Sequence, residues 1–159
     1  MMTRAGALFL GALGLAGVSL PATQAPDGLP GNAEPVAGPV VAWVGEVIDG
    51  DTVLVRARIW LGQDVETRVR LLGIDTPELK ARCGEEQRLA LVARDFVRDR
   101  VLGRRVNLVD IRHDKYGKRV LSRVITPDGE DLGAALIRHG LGRPYDGGGR
   151  QNWCAAKTD

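Results

Sequence analysis

From Val40 to about Ile74 apolar and polar residues alternate with the two-residue period of half-buried strands. Val40 to Ile48 and Thr52 to Trp60, rich in Val, Ile and Trp, predict two strands joined at Asp49-Gly50, a dipeptide that favours hairpin turns. A turn at Gly62-Gln63-Asp64 leads to a third strand, Glu66 to Ile74, with Val69 and Leu71 on one face and Arg68 and Arg70 on the other. The reading is an antiparallel meander. Pro77 disfavours helical backbone at Thr76 and cannot continue a central ladder, so the chain leaves the sheet there. Asp75 and Glu78 are thereby left at a strand end and loop, where catalytic groups often sit.

From Glu85 the period becomes helical: Leu89, Val92, Ala93, Phe96 and Val97 recur on one side, with Glu85 and Glu86 in the first turn, where the helix dipole favours acids. This helix is expected to end near Gly103. Arg105 to Arg112 and Val120 to Ile125 predict two more strands, separated by Asp114-Lys115-Tyr116-Gly117. Leu132 to His139 predicts a short helix stopped by Gly140. No internal repeat interrupts this order.

The start of the chain changes the picture. Arg4 precedes an apolar run from Ala5 to Leu20, followed by small and proline-rich residues up to Pro39. Residues 1–39 therefore read as an export signal and flexible leader, and residues 40–159 as one domain with a glycine-rich C-terminal tail. Cleavage is expected after Ala25 or Ala33. An uncleaved anchor is the alternative, although the run is short against the roughly 20 residues of a membrane span. Export places the protein in the periplasm or outside the cell, where the even pair Cys83 and Cys154 predicts a disulfide between the start of the long helix and the tail. A zinc site combining these thiols with His113 and His139 lacks any supporting spacing.

The net charge of +2 for 159 residues sets no partner by itself. Residues 79–123, however, carry thirteen Lys or Arg against six Asp or Glu, a distribution suited to a polyanion if those charges share a surface. Aromatic residues make up only 4% of the chain, which argues against a broad base-stacking platform.

The candidate chemistry lies in two acidic stretches. The turn Asp49-Gly50 accounts for itself but not for Asp51. If the strands around Asp51 and Asp75 pair, their carboxylates meet as hard oxygen ligands for Ca²⁺ or a similar divalent cation. Arg70 offers a planar fork that matches a phosphate, and Glu78 is a carboxylate able to take a proton from water.

Taken together, Val-Ile-Asp-Gly-Asp-Thr at Val47 to Thr52, Arg-Leu-Leu-Gly-Ile-Asp-Thr-Pro-Glu at Arg70 to Glu78, and Asp-Lys-Tyr-Gly at Asp114 to Gly117 resemble the staphylococcal nuclease (thermonuclease) family. The resemblance implies a mainly β, α+β fold: a five-stranded OB-type barrel with flanking helices. It implies Ca²⁺-dependent hydrolysis of phosphodiester bonds in DNA or RNA, with 3′-phosphate products and a monomeric protein. By motif position Asp51 and Asp75 resemble the Ca²⁺ carboxylates, Thr76 a backbone-carbonyl ligand, and Asp49 a neighbour behind the metal. Glu78 resembles the general base and Arg70 the arginine on the scissile phosphate. Lys115, Tyr116 and Tyr145 resemble nucleotide-contacting positions, Tyr145 having the alternative of a turn tyrosine packed on the barrel. The family's Tyr-Gly-Arg reads Tyr116-Gly117-Lys118-Arg119 here. Either Lys118 serves without the fork, or Arg119 takes the second phosphate position through a one-residue shift, the reading preferred. A different class of function, an inactive OB module that binds single-stranded nucleic acid or a protein, would have no need of Asp51, Asp75, Glu78 and Arg70 together.

Overall fold

The computed structural model describes residues 34–154. Of the export signal and leader expected in residues 1–39, residues 1–33 lie outside them. Strands β1 (Val40–Val47), β2 (Thr52–Trp60), β3 (Gln63–Leu71), β5 (Arg105–His113) and β6 (Arg119–Ile125) close a barrel in the order β1-β2-β3-β6-β5. The short β4 (Ile74–Asp75) pairs with β7 (Arg143–Pro144), and helices α1 (Gly84–Val101) and α2 (Leu132–Arg138) flank the barrel. This is the expected OB-type α+β architecture. No helix among the described residues is long and apolar enough to cross a membrane.

The core follows the two-residue alternation. Val44, Val53, Val55, Val69, Leu71, Val106, Leu108 and Val124 fill the barrel interior, and removing them from water is the main favourable term holding the closed sheet together. α1 seals one side with Ala90, Ala93, Val97 and Val101, all fully buried. Val92, expected on this buried face, is exposed instead.

Glycines with positive φ decide where the elements end. Gly62 at φ 73 makes the β2–β3 turn tight enough for Gln63 to pair with Trp60, so β3 begins earlier than the polar turn suggested. Gly73 at φ 78 ends the third strand, and Ile74–Asp75 becomes a separate strand outside the barrel rather than the end of β3. That break turns Asp75 towards the tail. Ahead of β1, Val36 and Ile111 exchange hydrogen bonds of 2.9 and 2.8 Å, so the last leader residues run along β5 instead of standing apart from the fold.

Cys83 and Cys154 form the expected disulfide. It closes a segment with a sequence separation of 71, and on a chain-entropy basis such a loop stabilises the fold by about 4 kcal/mol. Cys83 is also the residue before α1, so the bridge fixes the tail against the helix N-terminus, a few residues from Glu78.

Candidate active site

The β1–β2 loop positions the first carboxylate. Asp49 Oδ1 accepts a 3.0 Å hydrogen bond from the Asp51 amide, an Asx turn that directs the Asp51 side chain inward. Leu71 N–H donates to the Asp51 carbonyl at 2.8 Å, and Thr52 pairs with Arg70 in the β2–β3 register. The two acidic stretches are therefore neighbours, as their predicted pairing required. Gly50 is necessary at this point: a Cβ there would lie 2.9 Å from both the Ala93 methyl and Thr76 Oγ1. The loop, α1 and the Thr76 segment meet around that missing side chain.

One guanidinium joins the two carboxylates. Arg70 Nη1 donates to Asp51 Oδ1 at 2.7 Å, and its Nη2 lies 3.8 Å from Asp75 Oδ1. Thr52 Oγ1 adds a 3.0 Å hydrogen bond to Asp51 Oδ1. Asp51 and Asp75 are each only 3% exposed, which is unusual for acids, and Thr76 is equally buried. Burial pushes the Asp51 carboxyl up to about 6; Arg70 opposes that rise and the Asp49 carboxylate adds to it.

The tail supplies what the sequence reading missed. Arg150 Nε donates to Asp75 Oδ1 at 2.7 Å and Nη2 to the Thr76 carbonyl at 2.9 Å, while Nη1 pairs with Glu78 Oε1. Trp153 Nε1 donates to Asp75 Oδ2 at 3.1 Å, and its ring lies under the Arg143 guanidinium at 3.8 Å. Trp153 thus fixes one oxygen of Asp75 and leaves the other facing Arg70 and Arg150. A cleft of about 310 Å³ opens over this group, lined among others by Asp49, Asp51, Arg70, Thr76, Glu78 and Arg150. Asp75 also borders a neighbouring cavity of about 410 Å³ formed with Arg143, Tyr145 and Gln151. Of the two, the first cleft alone gathers Arg70 and Glu78.

Asp49, Asp51, Arg70, Asp75, Thr76 and Glu78 therefore come together, whereas Lys115, Tyr116, Lys118 and Arg119 do not line the cleft. Arg119 shares the outer face of the barrel with Arg70, since it pairs with Arg68 in the parallel β3–β6 register. Its guanidinium, however, is bound by the largely buried Asp114 rather than aimed at Asp51 and Asp75. Lys118 sits in the β5–β6 turn with left-handed backbone, φ 54. Tyr116 is 71% exposed, with Lys115 Nζ 5.1 Å from its ring centre. Tyr145 donates from its hydroxyl to the Gly148 carbonyl at 2.8 Å, and its amide donates to Gly73, the turn role held as the alternative for this residue. Several of the excess basic residues are similarly engaged, Arg94 with Asp95, Arg100 with Glu130, and Arg123 with Asp110 and Asp131.

The arrangement can grip a hard cation. Oxygens of Asp75, Thr76 and Glu78 already converge on one positive group, Arg150, and Asp51 faces the same cleft. Such an all-oxygen donor set suits Ca²⁺ or a comparable ion rather than a thiophilic metal. Among the described residues, the three-residue Cys/Asp/Glu/His cluster with converging ligand atoms is Cys83, Glu86 and Cys154, and the disulfide leaves no thiolate there to bind zinc.

Comparison with known proteins agrees with this geometry. The chain is 31% identical over 103 residues to an uncharacterized endonuclease of Escherichia coli, covering 65% of this chain and 60% of that protein. It is 38% identical over 102 residues to the thermonuclease of Staphylococcus intermedius, covering 63% of this chain and 56% of that protein. A probable endonuclease of Schizosaccharomyces pombe is 32% identical over 84 residues, 50% of this chain and 36% of that protein. The chain thus matches at most about three fifths of these relatives' length. The family model described as staphylococcal nuclease homologue matches residues 68–153, more than half of the 159 residues, and with the barrel and its acidic cleft this shows that the chain belongs to the staphylococcal nuclease family.

Proposed function

We propose that this protein is an exported nuclease, periplasmic or secreted, that hydrolyses phosphodiester bonds in DNA or RNA with Ca²⁺ and with little sequence preference, leaving 3′-phosphate ends. The observation that carries this reading is the convergence of Asp51, Arg70, Thr76 and Glu78 on one cleft, with Asp75 joined to them through Arg70 and Arg150, although they come from separate stretches of the chain. The Asp51 and Asp75 carboxylates and the Thr76 carbonyl would hold the cation, which would supply Lewis-acid charge against the anionic phosphate.

The chain's own groups do the rest. Arg70 holds the scissile phosphate through its planar fork and offsets charge as it builds on the phosphoryl oxygens. Glu78, with its side chain 57% exposed at the mouth of the cleft, takes the proton as water oxygen bonds to phosphorus. The bond from phosphorus to the 5′-oxygen breaks, the phosphate stays on the 3′ side, and the departing oxygen takes up a proton to become a hydroxyl. Asp49 orients Asp51, and Trp153 orients Asp75. Lys115, Tyr116, Lys118 and Arg119, at the β5–β6 turn, meet the flanking nucleotides together with Tyr145, which borders the same cavity as Asp75.

Purified mature protein incubated with plasmid DNA and with RNA is expected to cleave both in Ca²⁺ and neither in chelator. Binding of the same substrates without cleavage in either condition would identify a silent OB module instead.

A further inference from the structure

Three oxygens that the proposed reaction uses on the tail side of the cleft share one side chain. Arg150 bonds Asp75 Oδ1, the Thr76 carbonyl and Glu78 Oε1 at once. The first two oxygens belong to the cation and the third to the attacking water, so a loaded site requires this guanidinium to let go of all three. It cannot go far. Four residues on, Cys154 is bonded to Cys83, and Trp153 between them is buried and hydrogen-bonded to Asp75. The arginine is therefore tethered at the cleft by a covalent bridge while its side chain remains free to turn.

Once its carboxylates are neutralised by a divalent ion, the anion left within reach of Arg150 is the phosphate on Arg70. The other arginine considered for that position, Arg119, is bound to Asp114. We propose that Arg150 is an internal cation that keeps the empty site's oxygens gathered and passes to the substrate's phosphate when the ion takes them, becoming the second guanidinium at the reacting phosphorus. This rests on the nuclease reading above. It assigns a catalytic role to a tail residue and couples ion loading to the release of Glu78 Oε1.

The role predicts two effects of opposite sign. In Arg150→Ala, Ca²⁺ titrated calorimetrically without substrate is expected to bind about three- to tenfold tighter, because a competing cation is gone. Turnover at saturating Ca²⁺ is expected to fall about 10²-fold, the usual cost of removing a donor to transition-state charge. Arg150→Lys should recover part of the turnover, and Arg119→Ala should lose less than Arg150→Ala. Tighter ion binding with faster turnover would mean that Arg150 only blocks the site, and would overturn the proposal. So would weaker ion binding with slower turnover, which a structural role produces, or no change in either. A wild-type protein that neither binds Ca²⁺ nor cleaves would bring down the nuclease reading and this role together. A wild type that does both, beside an indifferent Arg150→Ala, would overturn this role alone.

Discussion

Glu78→Gln is expected to lower phosphodiester cleavage by about 10²- to 10⁴-fold, the range associated with losing a positioned general base. Gln has nearly the same shape, so affinity for a labelled oligonucleotide should stay close to that of the wild type, and the loss should appear in kcat rather than KM. The side chain stands 57% exposed at the rim of the cleft, so the substitution leaves the buried cluster of Asp51, Asp75 and Arg70 in place. Unchanged cleavage would remove Glu78 from the mechanism, and cleavage lost together with oligonucleotide binding would make it a binding residue.

The second large effect concerns Asp51. Burial raises its carboxyl from 3.8 to about 6 despite the opposing Arg70, so in the ion-free protein the neutral form is the one the fold favours. For a group raised in the folded state, the associated stability is complete below about pH 3.8 and is lost as pH rises through about 6. Above that, an ionised Asp51 costs the ion-free fold up to about 3 kcal/mol. Asp51→Asn, which never ionises, is therefore expected to be more stable than wild type by up to about 3 kcal/mol at pH 8 in chelator, with the difference closing at pH 4. Adding Ca²⁺ should reverse the order at pH 8, since only the wild type keeps the full carboxylate set. Urea denaturation at both pH values reads this directly, and a stability difference that ignores pH would refute the assignment of burial as the cause.

The same buried carboxylate explains how the site was visible before any coordinates. Asp51 and Asp75 were expected to meet if their strands paired, and the β2–β3 register that sets Thr52 opposite Arg70 brings them together. The alternation of Val69 and Leu71 with Arg68 and Arg70 placed Arg70 on the outer face, because a strand's period is two and cannot slip by one without burying a guanidinium. What failed was local backbone geometry. Gly73 falls inside the third strand expected from the sequence, yet its positive φ detaches Ile74–Asp75 from β3 and turns Asp75 to face the tail. The preference for Arg119 over Lys118 is a separate matter: it rests on guanidinium chemistry, the local pattern does not announce the Asp114 contact, and Arg119→Ala tests it.

Arg150 and Trp153 went unread for a different reason. The tail has no periodicity, so neither strand nor helix logic applies to it, and its position depends on a covalent bridge and one buried indole. A signal was nevertheless available. A bond from Cys154 to Cys83 brings Arg150, four residues before one cysteine, near Glu78, five residues before the other. That arithmetic marks Arg150 as a cation to weigh beside the carboxylate assigned as base.

The central claim is that Asp51, Asp75 and Thr76 hold a divalent ion between Arg70 and Glu78. A crystal structure of the mature protein grown in saturating Ca²⁺ tests it most directly. One ion is expected in the cleft, at about 2.3–2.6 Å from oxygens of these three residues, with Arg150 withdrawn from Asp75 and Thr76. A cleft without an ion, Arg150 still bonded to Asp75, Thr76 and Glu78, would contradict the account.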